Sequence, residues 1–275
     1  LPAALQAVAC EERHVPGPAG APDVRVLVYR PPGAAQTRPA YLHLHGGGYV
    51  LGSPEINDTS NRALALEHGC VVVSVDYRLA PETRFPGARD DGYAALQWLH
   101  AQAGALGVDR ARIAIGGESA GGGHAAALAQ LARRRGGPAI CLQLLDSPML
   151  DDRTGSSVEP HPFCGAFVWT PAQNRYGWRA LLGVEPGGAD VPTDAVPARA
   201  IDLTDLPPAF ISVGALDLFC EENLEYARRL IRAGVPTELH VIPGAYHGFG
   251  VAGLEAPQVR LCLQLRRDAL ARAWA

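Results

Sequence analysis

Arg112-Ile113-Ala114-Ile115-Gly116-Gly117-Glu118-Ser119-Ala120-Gly121 joins two apolar segments through a turn with glycine at both ends. Arg112 to Ile115 is short and β-branched, which predicts a strand. Ala120 to Arg134 is apolar at helical spacing, which predicts a helix. Gly117 to Gly121 therefore reads G-x-S-x-G in a strand–turn–helix setting, the arrangement that lifts a serine hydroxyl above a sheet. The reason is steric. A turn this sharp leaves no room for side chains beside Ser119, so positions 117 and 121 must be glycine. Alone the motif is weak, since chance supplies about 0.1 matches in a chain of this composition. An ordinary glycine-rich turn with a serine N-cap would look the same. The setting favours a nucleophile turn.

Working outward, strands and helices alternate. Val24 to Tyr29 alternates as a strand, and Glu11 to Val15 forms an opening hairpin with it across Pro16-Gly17-Pro18-Ala19-Gly20. Ala40 to Leu44 is the next strand. Cys70 to Val75 is nearly all apolar, as a strand covered on both faces should be. Helix 90–103, strand 139–145, strand 209–213, helix 222–232, strand 237–242 and helix 257–274 complete the series. This alternation predicts an α/β fold with a mostly parallel central sheet and helices on both faces. Residues 150–205 break it. They are rich in Pro, Gly and Asp and carry Phe163, Phe167, Trp169, Tyr176 and Trp178. The segment is too long for a plain loop and is expected to be a cap over one end of the sheet. The chain reads as one domain, 1–275, with that insertion.

Three further stretches carry chemistry. His45-Gly46-Gly47-Gly48 follows the strand 40–44, and chance supplies only about 0.01 such matches. Successive glycines let backbone N–H groups converge on one point, as a developing oxyanion requires. The candidate donors are Gly47, Gly48 and Ala120, with Gly46 as a further candidate. His247 lies in the loop after the last strand, at the same end of the sheet as Ser119. His240 is inside that strand and is expected to pack or face solvent. Asp217 follows strand 209–213, where it could orient His247 or simply cap the next helix; Glu221 and Glu222 are rivals on the helix side. His43 and His45 form an H-x-H pair, but no companion ligand is near in sequence, so no metal is expected. No organic cofactor is required either.

Composition excludes other classes. The chain has 275 residues and a net charge of −4. All 24 basic residues are arginine, as a GC-rich coding bias produces, so the arginines do not signal a nucleic-acid partner. Arg133-Arg134-Arg135 reads as a solvated helix C-terminus. The six cysteines lie in no C-x-x-C pair, which fits a reducing compartment and a cytoplasmic location. No apolar run is long enough to span a membrane. No signal-peptide pattern is visible, although the chain starts at Leu1, which leaves a removed leader open.

The chain resembles the hormone-sensitive-lipase-like (bacterial family IV) carboxylesterases of the α/β-hydrolase superfamily. The matching residues are His45 to Gly48, Asp76-Tyr77-Arg78-Leu79-Ala80-Pro81-Glu82, Gly117 to Gly122, Gly214-Ala215-Leu216-Asp217 and Gly244-Ala245-Tyr246-His247-Gly248-Phe249. The resemblance runs from about residue 12 to the C-terminus. It implies the α/β-hydrolase fold and a Ser119–His247–Asp217 triad, in the chain order that fold uses. It also implies small-molecule ester substrates with short to medium acyl chains, and a homodimer through strand 237–242. Phe163, Phe167, Trp169 and Phe249 are expected to line the substrate pocket. The Asp76–Glu82 stretch looks structural. Many relatives carry Asp where this chain has Glu118. They also carry a longer N-terminal cap, of which residues 1–10 would be a remnant. An acyl hydrolase acting on amides or lactones, or a non-catalytic binding protein on the same fold, would share most of these motifs; the latter typically lacks the histidine.

Overall fold

The computed structural model describes residues 1–33, 37–156 and 160–275; residues 157–159, inside the expected cap, lie outside the described residues. The strands are β1 (Ala9–Val15), β2 (Val24–Arg30), β3 (Arg38–Leu44), β4 (Val71–Asp76), β5 (Val108–Glu118), β6 (Leu142–Asp146), β7 (Ala209–Gly214) and β8 (Thr237–Ile242). The helices are α1 (Ala3–Gln6), α2 (Asp58–His68), α3 (Gly87–Ala101), α4 (Ala103–Leu106), α5 (Ala120–Arg134), α6 (Pro171–Leu182), α7 (Cys220–Arg232) and α8 (Pro257–Trp274). The strands form one sheet in the order β1-β2-β4-β3-β5-β6-β7-β8. β4, β3 and β5 to β8 run parallel, and β2 is antiparallel to both its neighbours. The chain thus has the α/β-hydrolase fold expected of it.

Side-chain alternation splits the core into two layers. Val73, Leu42, Ile113, Ile115, Leu145 and Ile211 face one way, against Leu96 and Leu99 of α3, Leu128 of α5 and Leu230 of α7. Val72, Tyr41, Ala114, Leu144 and Phe210 face the other way, against Ala65 of α2 and Leu270 and Trp274 of α8. Each fully buried aliphatic side chain contributes about 1.5–3 kcal/mol. Because the central strands lie between two helical layers, they read as continuous apolar runs. Among the described residues, no helix is long and apolar enough to cross a membrane.

Three features were not legible in the apolar pattern. α2 buries only Asn61 and Ala65, so it has almost no apolar face to detect; its best signal is Gly69, left-handed at the C-terminal end. α6 lies inside the segment 150–205. Its signal was local: Thr170 and Gln173 form a capping box, Pro171 opens the helix and Gly183 closes it. Trp178, Leu181 and Leu182 of α6 pack with Val196, Tyr49, Ala120 and Met149, a third cluster beyond the strand ends. The third feature is the N-terminus. Ala9 pairs with Arg30, and Tyr29 with Val72 near the start of β4. Residues 1–8 therefore enter at the end of the sheet away from Ser119. The remnant expected at 1–10 does not lie over the site, because the opening hairpin approaches from the opposite end and residues 9–10 belong to β1.

Candidate active site

The parallel strands place their C-terminal ends together, so the loops after β3, β5, β6, β7 and β8 meet at one edge. Ser119 follows β5 directly and precedes α5. Its backbone has a positive φ, 56° with ψ −122°, a strain typical of residues held for chemistry. The flanking glycines are needed. A Cβ at Gly117 or at Gly121 would stand 2.0 Å from the Leu44 carbonyl oxygen, and at Gly121 also 2.5 Å from that of His45. Both obstacles are backbone and cannot swing aside. Gly121→Ala is expected to cost about 3 kcal/mol, read as a lower midpoint in urea unfolding.

The Ser119 hydroxyl donates to His247 Nε2 at 2.9 Å. His247 Nδ1–H donates to Asp217, at 2.9 Å to Oδ2 and 3.1 Å to Oδ1. A carboxylate only accepts, so the proton on the imidazole belongs on Nδ1 and Nε2 faces serine. Asp217 is fully buried, and its Oδ1 also accepts the Phe219 N–H at 2.9 Å. Phe219 stands edge-on to the His247 ring, and Trp169 flanks it at 6.2 Å.

The glycine loop lies against this turn. Gly47 and Gly48 have positive φ (130° and 60°). Among the described residues, the N–H groups of Gly47, Gly48 and Ala120 have no hydrogen-bond partner. Gly46 is different: its N–H donates to Glu118 Oε1 at 3.2 Å, so this candidate donor is already taken. The Asp76–Glu82 stretch braces the loop from below. The Tyr77 hydroxyl donates to the His45 carbonyl at 2.5 Å, and Ala80 N–H donates to the Tyr49 carbonyl at 3.0 Å.

The rival residues have other partners. His240 pairs with Glu238. The buried Glu222 accepts the Leu150 N–H, and burial raises its pKa well above the usual range. His43 bonds Ser74 and Glu118, and His45 Nδ1 bonds the Gly46 carbonyl. Arg133 reaches Asp202 at the end of α5.

A cavity of about 120 Å³ opens beside Ser119 and His247, walled by Phe249, Val259, Cys262 and Leu263. The ion pair between Arg266 and Asp146 (2.9 Å) forms part of its lining. Of the expected pocket aromatics, Phe249 lines this cavity, and Trp169 covers Gly48, where an added Cβ would meet its ring at 2.2 Å. Phe167 instead packs on Tyr246. Phe163 is 70% exposed, stands edge-on to His161 and is not in the lining of this cavity. The α8 residues on the cavity wall carried no sequence signal. They lie in a helix far along the chain, and only tertiary packing brings them here.

His124, on α5, is walled by the Tyr49 and Tyr77 rings, and its Nε2 has no partner among the described residues. Burial, then repulsion from His45, lowers its pKa to about 3. It is neutral in the folded chain, whereas the unfolded chain takes up this proton below the ordinary histidine value of 6.5. Stability from this group is complete above that value. It declines toward pH 3 by about 1.4 kcal/mol per pH unit. His124→Phe is expected to flatten this part of the acid limb in urea unfolding followed across acidic pH.

Comparison with known proteins identifies the family. The α/β hydrolase fold family model matches residues 41–251. The chain is 39% identical to carboxylesterase NlhH of Mycobacterium tuberculosis, over 93% of this chain and 80% of that one. It is also 39% identical to an ethyl acetate hydrolase of Pseudomonas putida, over 82% of this chain and 70% of that one. The structure of a bacterial heroin esterase, again 39% identical, superposes with a TM-score of 0.94 over 98% of this chain and 86% of that one. On these grounds the chain belongs to the hormone-sensitive-lipase-like carboxylesterases of the α/β-hydrolase superfamily and is a carboxylic ester hydrolase.

Proposed function

We propose that the chain hydrolyses short- to medium-chain acyl esters through a Ser119–His247–Asp217 triad and an acyl-enzyme intermediate. The observation that carries this reading is the unbroken hydrogen-bond chain from the Ser119 hydroxyl through His247 to the buried Asp217 carboxylate. Ser119 Oγ attacks the ester carbonyl while His247 Nε2 takes its proton. His247 then protonates the departing alcohol oxygen, which leaves with the electron pair of the broken C–O bond. Water repeats the sequence on the acyl-enzyme: its oxygen attacks the acyl carbon as His247 takes its proton, the bond to Ser119 Oγ breaks, and His247 returns the proton to Oγ as the carboxylic acid leaves. Asp217 holds the imidazole tautomer and stabilises the imidazolium. The N–H groups of Gly47, Gly48 and Ala120 receive the oxyanion, each donor being worth about 10²–10³ in rate.

The small apolar cavity at Ser119 supports a short acyl group. In the same reading, residues 150–205 act as the cap, with α6 over the loop 45–49. A homodimer would form at β8, whose outer edge is open in this sheet. Light scattering in solution checks that part. The reaction itself is tested by treating the folded protein with a fluorophosphonate, followed by intact mass and peptide mapping. One adduct, on Ser119, is expected, together with hydrolysis of p-nitrophenyl butyrate. An unlabelled folded protein would overturn the assignment of an activated serine.

A further inference from the structure

We propose that Glu118 is a positioning residue for the oxyanion loop: its carboxylate ties Gly46 to the turn that carries Ser119 and thereby aims the N–H groups of Gly47 and Gly48. The inference rests on the reading of Ser119 as nucleophile and of those glycines as oxyanion donors.

Loop and turn are in direct contact. A Cβ at Gly46 would lie 3.1 Å from the Glu118 carbonyl oxygen and 3.6 Å from Ser119 Cβ. Such close backbones can still slide past one another unless something sets their register. Several bonds hold the loop. Tyr77 holds the carbonyl of His45, Ala80 N–H holds the carbonyl of Tyr49, and the N–H groups of Val50 and Leu51 hold the carbonyl of Gly47. A further anchor is the Gly46 N–H on Glu118 Oε1, and it comes from the residue next to the nucleophile. A shift of the loop relative to Ser119 must break this bond. The next two N–H groups in the chain are the proposed oxyanion donors.

The carboxylate is itself held in place. Glu118 Oε2 is 3.1 Å from His43 Nε2. His43 Nδ1 lies 2.9 Å from the Ser74 hydroxyl and 3.4 Å from Asn61 Nδ2. The amide nitrogen of Asn61 can only donate, so Nδ1 accepts and Nε2 carries the proton toward Glu118. Glu118 is thus fixed from β3, β4 and α2 together. Burial opposes its charge, but the hydrogen bond from His43, the Arg266 guanidinium and the Gly46 N–H act against it and lower its pKa. It accepts as a carboxylate at every working pH, which makes its bond to Gly46 charge-assisted.

The test compares Glu118→Met, which keeps the shape but removes the acceptor, with Glu118→Gln, whose amide oxygen can still accept the Gly46 N–H once His43 moves its proton to Nδ1, toward the Ser74 hydroxyl, and takes the amide NH₂ on Nε2. Rates on p-nitrophenyl butyrate are taken per active site, titrated with a phosphonate, so any unfolded fraction does not count. A trifluoromethyl ketone, whose adduct with a serine places an oxyanion in the loop, serves as a second readout. In Glu118→Met, kcat is expected to fall about 10²-fold, the scale of a displacement of about 1 Å at a catalytic group. KM should barely move, and Ki for the ketone should rise in step with the loss of kcat/KM. Glu118→Gln should recover most of both. Unchanged kcat and Ki per active site in Glu118→Met, with Ser119→Ala inactive, would overturn the positioning role and leave the nucleophile in place. Equal impairment of Gln and Met would also overturn it, since charge rather than the acceptor would then matter. Turnover retained by Ser119→Ala would instead remove the reading on which the inference stands.

Discussion

Ser119→Ala is expected to lose turnover by about 10⁶-fold in kcat while the folded structure persists. Triad members act as a unit, and removing the nucleophile alone costs nearly as much as removing all three. The fold has little reason to respond. The Ser119 hydroxyl makes no capping bond to α5, and its partner is His247. The strained backbone at this position is imposed by the Ser119 N–H bond to the Asp146 carbonyl and by the bond from Met149 N–H to the Ser119 carbonyl, both 2.9 Å, and alanine keeps both. Steady-state rates on p-nitrophenyl butyrate, with near-ultraviolet circular dichroism and the melting temperature, check the two halves of this expectation. Residual hydrolysis well above the uncatalysed rate, in a preparation free of wild-type enzyme, would move the nucleophile elsewhere.

Asp217→Asn is the second large effect, expected at about 10⁴-fold in kcat, the scale seen when a triad aspartate loses its charge in serine proteases. The side chain keeps its shape, so the Phe219 N–H can still bond the amide oxygen. If the amide NH₂ then turns toward His247 Nδ1, that nitrogen must accept. The ring proton moves to Nε2 and meets the Ser119 hydroxyl as a donor. Serine then has no base. The loss should ease at alkaline pH, where serine needs less help to ionise, and KM should hardly change. A pH–rate profile of the variant distinguishes this from a packing defect, which would lower the melting temperature and leave the profile's shape intact. A variant as active as the wild type at neutral pH would remove Asp217 from the mechanism.

Much of this molecule is legible in local sequence. The buried parallel strands are apolar on both faces, so Val71 to Val75 could hardly be read otherwise. Gly117 and Gly121 announce the nucleophile turn because a Cβ at either would collide with the Leu44 carbonyl. Ser119 follows its strand directly and Asp217 and His247 lie in the loops just after β7 and β8, and parallel strands bring such positions to one edge. Local chemistry was therefore enough to propose these three residues and the glycines beside them as candidates.

Other features depend on which elements become neighbours. α2 stayed hidden because it buries so little. Gly46 looked like an oxyanion donor in sequence, but folding brings Glu118, 72 residues away, within reach of its N–H. The exposure of Phe163 and the contribution of Val259, Cys262 and Arg266 to the cavity follow from tertiary packing. The sequence by itself determined the sheet, the nucleophile turn and the candidate triad, because each is written in short-range sterics and periodicity. Only the tertiary structure decided which N–H groups stay free, what walls the cavity and where the N-terminus enters, because these depend on contacts between residues far apart in the chain.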